Sequence, residues 1–395
     1  MKILHIEDYF VPVAGYQINI LPKYQAEQGH DVYILSASIN SVNKSTTKFF
    51  QGIDWDEEDR KYCEQTGVKL IRVPTKIHKL IASRIVQSGA FYRKIKEVNP
   101  DVVFMHGNDT LTGIIVTKIS QGENWTLICD SHMVDMASKN RLNRLFHLYY
   151  KKFITPILVK NSIPVIRTQN TTYVERALGV PISQCPWISV GSDTMLFHPV
   201  SKDKKTELRK KYNIPSDWFV CVFTGKLDGI RGSEILAQAA DALKNEKIGF
   251  VTVGGATDEA GRKSLEMLEK LPNVRTFPTQ KYFDLPSFYQ LADIGVFPKR
   301  CSLSFYDAQA CGLPIIAEDN DISSDRLKYD NGFTYRSGDI EDFISKIKYM
   351  SRMERAELEK MGNRAKEVTF SGYNYKNLAD KYTEVIFDYR NKQEK

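Results

Sequence analysis

Residues 218–232 read Trp218-Phe219-Val220-Cys221-Val222-Phe223-Thr224-Gly225-Lys226-Leu227-Asp228-Gly229-Ile230-Arg231-Gly232. The run up to Phe223 is continuously apolar, as a strand covered on both faces of a parallel sheet must be. It breaks at Gly225, and the loop that follows offers two cations, Lys226 and Arg231, before Gly232. Beyond Gly232, apolar residues at Ile235, Leu236, Ala239, Ala240 and Leu243 fall at helical spacing, with Ser233 and Glu234 in the first turn. A strand, a glycine-bearing loop with two cations and a helix N-terminus together make a place for a phosphate group. The other reading is an ordinary turn with solvated charges, and the rest of the chain has to decide between them.

Outward from this stretch the second half repeats one grammar. Short apolar runs at Phe250–Val253, Val274–Phe277, Ile294–Phe297 and Pro314–Ala317 alternate with helical segments. The first half does the same, with Lys2–Ile6, Val32–Leu35, Lys69–Val73, Val102–Met105, Thr126–Cys129 and Pro164–Ile166, and with a helix over Gln17–Gln28 after a loop holding Pro12 and Gly15. Alternation of this kind predicts doubly wound parallel α/β sheets, which take ligands at the carboxyl ends of their strands. Val190–Ser216 is polar and predicts a loop-like hinge between the halves.

A chain of 395 residues exceeds one ordinary core, and 42% apolar with 26% charged residues is the composition of a soluble globular protein. The six cysteines are scattered without a paired motif, which fits reduced thiols. Met1 is followed by Lys-Ile-Leu-His-Ile and then by Glu7 and Asp8, and no run reaches spanning length, so the expected location is cytoplasmic. The net charge of +7 is unevenly placed: Met136–Val174 holds no acidic residue but carries Lys139, Arg141, Arg144, Lys151, Lys152, Lys160 and Arg167. That asymmetry points to an anionic partner surface.

Four segments resemble the retaining glycosyltransferases of family 4, group 1. Phe10–Ser36 is similar to that family's glycine loop, helix and Gly-His-x-Val strand, with Ala14 in place of the first glycine and Gly15 as the second. Val190-Gly191-Ser192-Asp193 with Phe197 and Pro199 resembles its hinge, Lys226 and Arg231 fall on its basic pair with Arg and Lys exchanged, and Tyr306–Pro314 resembles the end of its Glu-x7-Glu motif. The resemblance implies an α/β GT-B fold of two facing Rossmann-like domains with a cleft between them. It implies an N-terminal acceptor-binding domain at 1–195, a nucleotide-sugar-binding domain at 196–374 and a C-terminal helix at 375–395 that returns to the first.

The same resemblance implies the chemistry. Cleaving a sugar–diphosphate bond builds negative charge on the leaving group, so fixed cations lower the barrier, and Lys226 and Arg231 are expected to supply them. Gly15 lets backbone amides approach the phosphates, and a plain structural turn is its other reading. Asp307 stands where the family's second Glu holds the ribose hydroxyls, or else it caps its helix. Lys299 stands where the family has its first Glu, which contacts the donor sugar; it faces an anionic sugar, reaches the diphosphate, or marks lost catalysis. Arg300, Cys301, Ser302, Leu303 and Ser304 replace the family's usual loop beside it, and of these Ser302, Leu303 and Ser304 are expected to contact the donor. His132, at the end of a predicted strand, matches a histidine beside the donor sugar, and His106 is a second candidate. The acidic clusters at Asp54–Asp59 and Asp319–Asp321 read as solvated loops, and the family works without a bound metal, so neither metal nor other cofactor is expected.

From Arg141 to Thr155, Leu142, Leu145, Phe146, Tyr149, Phe153 and Ile154 recur opposite Arg141, Arg144, Lys151 and Lys152, and Pro156 ends or kinks the helix. This basic amphipathic helix either packs on the core or docks on an anionic membrane, joined by Lys76, Lys79, Arg84, Arg93, Lys94 and Lys96. The partners expected are a nucleotide-sugar donor, a glycan, lipid-linked or protein acceptor and the inner membrane face; no nucleic-acid recognition motif accompanies the charge. A non-catalytic partner subunit is the rival reading, and the lack of a strand-borne G-x-G-x-x-G argues against a dinucleotide-dependent oxidoreductase.

Overall fold

A computed structural model describes residues 1–41, 50, 52–77, 85–132, 143–300 and 302–393. The chain forms two α/β units, the first made of Met1–Val190 with the C-terminal helix Tyr375–Gln393, the second of Gly191–Asn374. The break thus falls at Val190, a few residues ahead of the boundary at 195 read from the sequence.

In the first unit β1 (Lys2–Glu7), β2 (Asp31–Ala37), β3 (Lys69–Val73), β6 (Val102–Met105), β7 (Thr126–Ser131) and β8 (Val165–Arg167) pair in the order β3-β2-β1-β6-β7-β8. Every pairing is parallel. A short antiparallel pair, β4 (Thr75–Ile77) with β5 (Val86–Gln87), stands apart and has no counterpart in the sequence reading. The second unit repeats the plan with β9 (Phe219–Thr224), β10 (Ile248–Val253), β11 (Val274–Phe277), β12 (Ile294–Phe297), β13 (Ile315–Glu318) and β14 (Gly332–Tyr335), ordered β11-β10-β9-β12-β13-β14. These pairings are parallel too.

The apolar runs become strands because both faces are covered. Cys221, Phe223, Phe250, Ile294 and Ile316 join Leu236 and Ala240 of one helix, and Phe343, Ile347 and Met350 of another, in a single core. Strand order reverses between β1 and β6 in one unit and between β9 and β12 in the other, so the crevices for ligands lie at the carboxyl ends of those strands.

Two expectations are corrected. The stretch read as a loop from Val190 to Ser216 contains the helix Lys202–Lys211. Its start is capped by the Ser201 hydroxyl, which accepts from the Lys204 amide at 3.2 Å, and buried Arg209 donates to Asp293 Oδ2 at 2.6 Å. These contacts, rather than an apolar stripe, hold a helix that composition disguised. The basic helix read over 141–155 ends at Phe153, its described part being Asn143–Phe153, and Pro156 sits in the first turn of a separate helix, Thr155–Lys160, where its missing amide hydrogen is harmless. Lys79, Arg84, Lys139, Arg141 and Leu142 lie outside the described residues.

The helix Tyr375–Gln393 buries Tyr375, Leu378, Tyr382, Ile386 and Tyr389 at helical spacing against the first unit. Gln17 Nε2 donates to the Tyr382 hydroxyl at 2.8 Å, and that hydroxyl donates to the Ile188 carbonyl at 3.3 Å. Tyr389 likewise donates to the Asn161 carbonyl at 2.7 Å. Tyr382→Phe is expected to cost about 1–3 kcal/mol by stranding buried partners, and Tyr382→Ala about 3–5 kcal/mol through the cavity it leaves. Denaturant unfolding measures both; wild-type stability in the alanine variant would exclude this anchorage.

Candidate active site

In the second unit the site is built on the loop after β9. Gly225 and Gly254 end adjacent strands with φ of 142° and 151°, and a Cβ on Gly254 would lie 1.8 Å from the Gly225 carbonyl oxygen. The backbones pass too close there for any other residue. Past the turn, Asp228 braces Arg231: its carboxylate accepts from the Arg231 amide at 2.8 Å and from Nη1 at 2.5 Å, and from the Thr257 hydroxyl at 3.2 Å. Gly232, at φ 75°, turns the chain into the helix Ser233–Ala242, whose first residue is fully buried with a hydroxyl that finds no partner among the described residues.

Lys299 follows β12 and packs on this loop. A Cβ on Gly232 would sit 3.0 Å from Lys299 Cγ, and Lys299 Nζ donates to the Gly229 carbonyl at 3.4 Å. Burial and the nearby Arg231 guanidinium hold the Arg300 guanidinium below its ordinary pKa. Arg231, Lys299 and Arg300 therefore gather at the reversal of strand order, next to a helix N-terminus, and Lys226 lies in the same loop after β9. Cations beside a helix N-terminus with a buried hydroxyl are groups whose chemistry suits an anion. Ser302, Leu303 and Ser304 lead into the helix Ser304–Ala310, and the Ser302 hydroxyl is buried without a partner among the described residues. Cys301 lies outside the described residues.

Asp307 sits inside that helix at 3% exposure. Its Oδ1 accepts from the Ser192 hydroxyl at 2.7 Å and from the Tyr282 hydroxyl at 3.3 Å. Burial pushes the carboxyl up to about 8, partly opposed by these two hydrogen bonds. Both of these hydrogen bonds fall on the same carboxylate oxygen.

The first unit carries its polar groups at the ends of β1, β6 and β7. Gly15 lies in the loop before Tyr16, the N-cap of the helix Gln17–Glu27. A buried chain runs from Gln25 Oε1 to His5 Nε2 at 2.6 Å, from His5 Nδ1 to His106 Nε2 at 2.9 Å, and from His106 Nδ1 to Asp130 Oδ2 at 2.8 Å. His132 closes it: Nε2 lies 3.4 Å from the same Asp130 oxygen, and Nδ1 lies 3.2 Å from the Thr168 hydroxyl. The His132 side chain is 42% exposed whereas Asp130 is fully buried. Burial and Asp8 push the neighbouring Glu7 carboxyl up to about 8.

His106, Asp130 and His132 bring donor atoms within 4.8 Å of one another, the spacing of a metal site. Both nitrogens of His106 are already engaged by protein partners, so this grouping is satisfied as a hydrogen-bond chain. Sequence reading missed Asp130, His5 and Asp228 as site groups. The signal for Asp130 was its place two residues before His132, which sets both on one face of an extended chain.

The fold is that of the GT-B class. A glycosyltransferase from Rickettsia africae superposes with a TM-score of 0.75 over 98% of both chains at 15% identity. Anabaena HepE in complex with UDP superposes at 0.73 over 98% of this chain and all of its own, also at 15% identity. At such identity the likeness speaks for the fold. Residues 204–368 match the family "Glycosyl transferases group 1", a match that covers most of the second unit. A D-inositol 3-phosphate glycosyltransferase of Salinispora arenicola is 26% identical over 148 residues, 33% of each chain, and one of Catenulispora acidiphila is 30% identical over 143 residues, 32% of this chain and 33% of its own. The chain thus spans about a third of the length of the curated relatives it matches.

A carboxyl held near 8 in the fold against an ordinary 3.8 favours folding at low pH, where both states keep the proton, and that advantage is lost as pH rises through the window from 3.8 to about 8. Asp307→Asn, which stays neutral, is expected to flatten the fall of the melting temperature across this window. An unchanged slope would show that Asp307 ionises freely.

Proposed function

We propose that the chain is a retaining glycosyltransferase of the hexosyltransferase type, moving a sugar from a UDP- or GDP-linked donor to a glycan, lipid-linked or protein acceptor in envelope polysaccharide or glycoconjugate synthesis. The observation that carries this reading is the braced cationic loop Gly225–Gly232 at the strand-order reversal, inside the segment that matches the group 1 family. Anabaena HepE, a structural neighbour, holds UDP and UDP-glucose, which supports a nucleotide-sugar donor. In this reading Lys226 and Arg231 neutralise charge growing on the diphosphate, the amides at the start of the helix Ser233–Ala242 add donors, and no metal is required. Asp228 fixes the guanidinium so that little reorganisation is needed when the charge develops. Lys299, Ser302, Leu303, Ser304 and Asp307 of the second unit complete the proposed donor site.

A second reading, a non-catalytic partner of an active transferase, is favoured by Lys299 standing on the phosphate loop in place of an acid. The two separate in one experiment. With a panel of nucleotide sugars, the enzyme turns over and the partner binds without turnover. Lys226→Ala and Arg231→Ala are each expected to remove about 2–4 kcal/mol of transition-state stabilisation while the fold stays intact. Near-wild-type turnover in both variants would overturn the assignment.

We propose further that the protein itself is cytoplasmic and peripheral at the anionic inner membrane face, where a lipid-linked or envelope glycan acceptor meets it. No helix among the described residues is long and apolar enough to cross a membrane. The helix Asn143–Phe153 leaves Leu145 65% and Leu148 58% exposed, and Tyr149 and Phe153 also reach the surface beside Lys151 and Lys152. Of its apolar side chains only Tyr150 is buried, so the packed-core reading accounts for little of this face. Each surface cation gains on the order of 1 kcal/mol near an anionic bilayer. Salt-sensitive sedimentation with anionic vesicles is expected, lost when Arg144, Lys151 and Lys152 become Gln; no sedimentation at low salt refutes it.

A further inference from the structure

The chain of buried groups behind His132 has a direction. Gln25 Nε2 is a buried amide nitrogen that finds no partner among the described residues, while its oxygen faces His5 Nε2. Oxygen and nitrogen of an amide are interchangeable by a half turn. Turned so, the NH2 donates to His5 Nε2, His5 Nδ1–H donates to His106 Nε2, and His106 Nδ1–H donates to Asp130. Each histidine then gives one proton and accepts one, and the chain needs a single buried charge, the Asp130 carboxylate. Burial lowers the pKa of His5, as a neutral link requires. The Gly107 amide donates to the other Asp130 oxygen at 2.9 Å, so the carboxylate is fixed from both sides before His132 approaches it.

At His132 both nitrogens face protein. Nε2 points to Asp130, and Nδ1 faces the Thr168 hydroxyl, which itself lies 3.1 Å from the Ser131 carbonyl. When that hydroxyl donates to Ser131 its oxygen is left to accept, and Nδ1 must carry a proton. Neither nitrogen is then open to take a proton from a ligand.

We propose that His132 works as a fixed imidazolium at the end of β7, with Asp130 as its positioning residue and the Gln25–His5–His106 chain holding that carboxylate in place. The exposed ring edge presents positive charge to an anionic ligand, such as a sugar diphosphate, and not a general base. Only the ligand's identity rests on the transferase reading; the charge of His132 stands apart from it. The groups that face the ring are Glu7 from β1, Asp109 from the loop after β6, and Asp130 from β7, with Asp8 beside Glu7 and His106 behind Asp130. Desolvation of the ring's inner edge opposes the charge, but Asp130 and, more weakly, Glu7 and Asp109 favour it and prevail, so the pKa is raised. Glu7 is largely protonated below about 8 and adds its charge above that.

The test is a nuclear magnetic resonance titration of histidine side chains in the full-length protein, with the His132 signal assigned by its loss in His132→Gln. The midpoint is expected above the ordinary 6.5, and Asp130→Asn is expected to lower the protonation constant at least tenfold. Thr168→Val decides the sign independently, and serves if Asp130→Asn does not fold. Loss of an acceptor lowers the midpoint, whereas loss of a donor to a neutral ring raises it. A midpoint at or below the ordinary value, or a rise in Thr168→Val, overturns the proposal. In the transfer assay the alkaline limb of the pH profile moves with the same midpoint, a shift that general misfolding does not produce. Absence of turnover with every nucleotide sugar, together with the expected titration, fails the transferase reading and leaves the imidazolium standing.

Discussion

A parallel sheet gives ligands access at the carboxyl ends of its strands, and only where strand order reverses do neighbouring loops diverge to opposite faces. Both sheets here reverse once, beside β1 and beside β9. The polar chemistry of each unit lies at that point. Lys226 and Arg231 follow β9 and Lys299 follows β12, while Glu7 ends β1 and His106 follows β6. Moving either central strand would scatter the groups, so the packing of β9 between β10 and β12 underlies the cationic loop as much as any contact within it.

Charge compensation shapes both sites. Asp228 restrains Arg231 without extinguishing the positive field, because Lys226, Lys299 and Arg300 stand near the same loop. In the first unit a fully buried carboxylate, Asp130, is offset by donors on both oxygens. A buried network of this kind is rigid when satisfied and costly when one member is lost. Preorganised charge of fixed sign suits stabilisation of a developing anion.

Much of the fold was legible because buried parallel strands are written as continuous apolar runs. β9 and β12 could be placed to within a residue or two, and the helix after Gly232 announced itself by spacing. The helix Lys202–Lys211 was not legible, since a serine cap and an Arg209–Asp293 pair formed across more than eighty positions of chain hold it, and the sequence shows only polarity. For the same reason Lys226 and Arg231 stood out on one local loop, whereas the chain from Gln25 to Asp130 joins residues from distant segments. Asp307 was found by its place in a motif, yet its burial against Ser192 and Tyr282 is a tertiary fact that no spacing records.

The central claim is that the loop Gly225–Gly232 recognises a diphosphate. Calorimetric titration of the full-length protein with nucleoside monophosphates and diphosphates of uridine and guanosine tests it most directly. For at least one base the diphosphate is expected to bind at least tenfold tighter than the monophosphate, without added metal, and Lys226→Ala combined with Arg231→Ala is expected to abolish the difference. Equal affinity for mono- and diphosphate, or a preference that survives the double substitution, would contradict it.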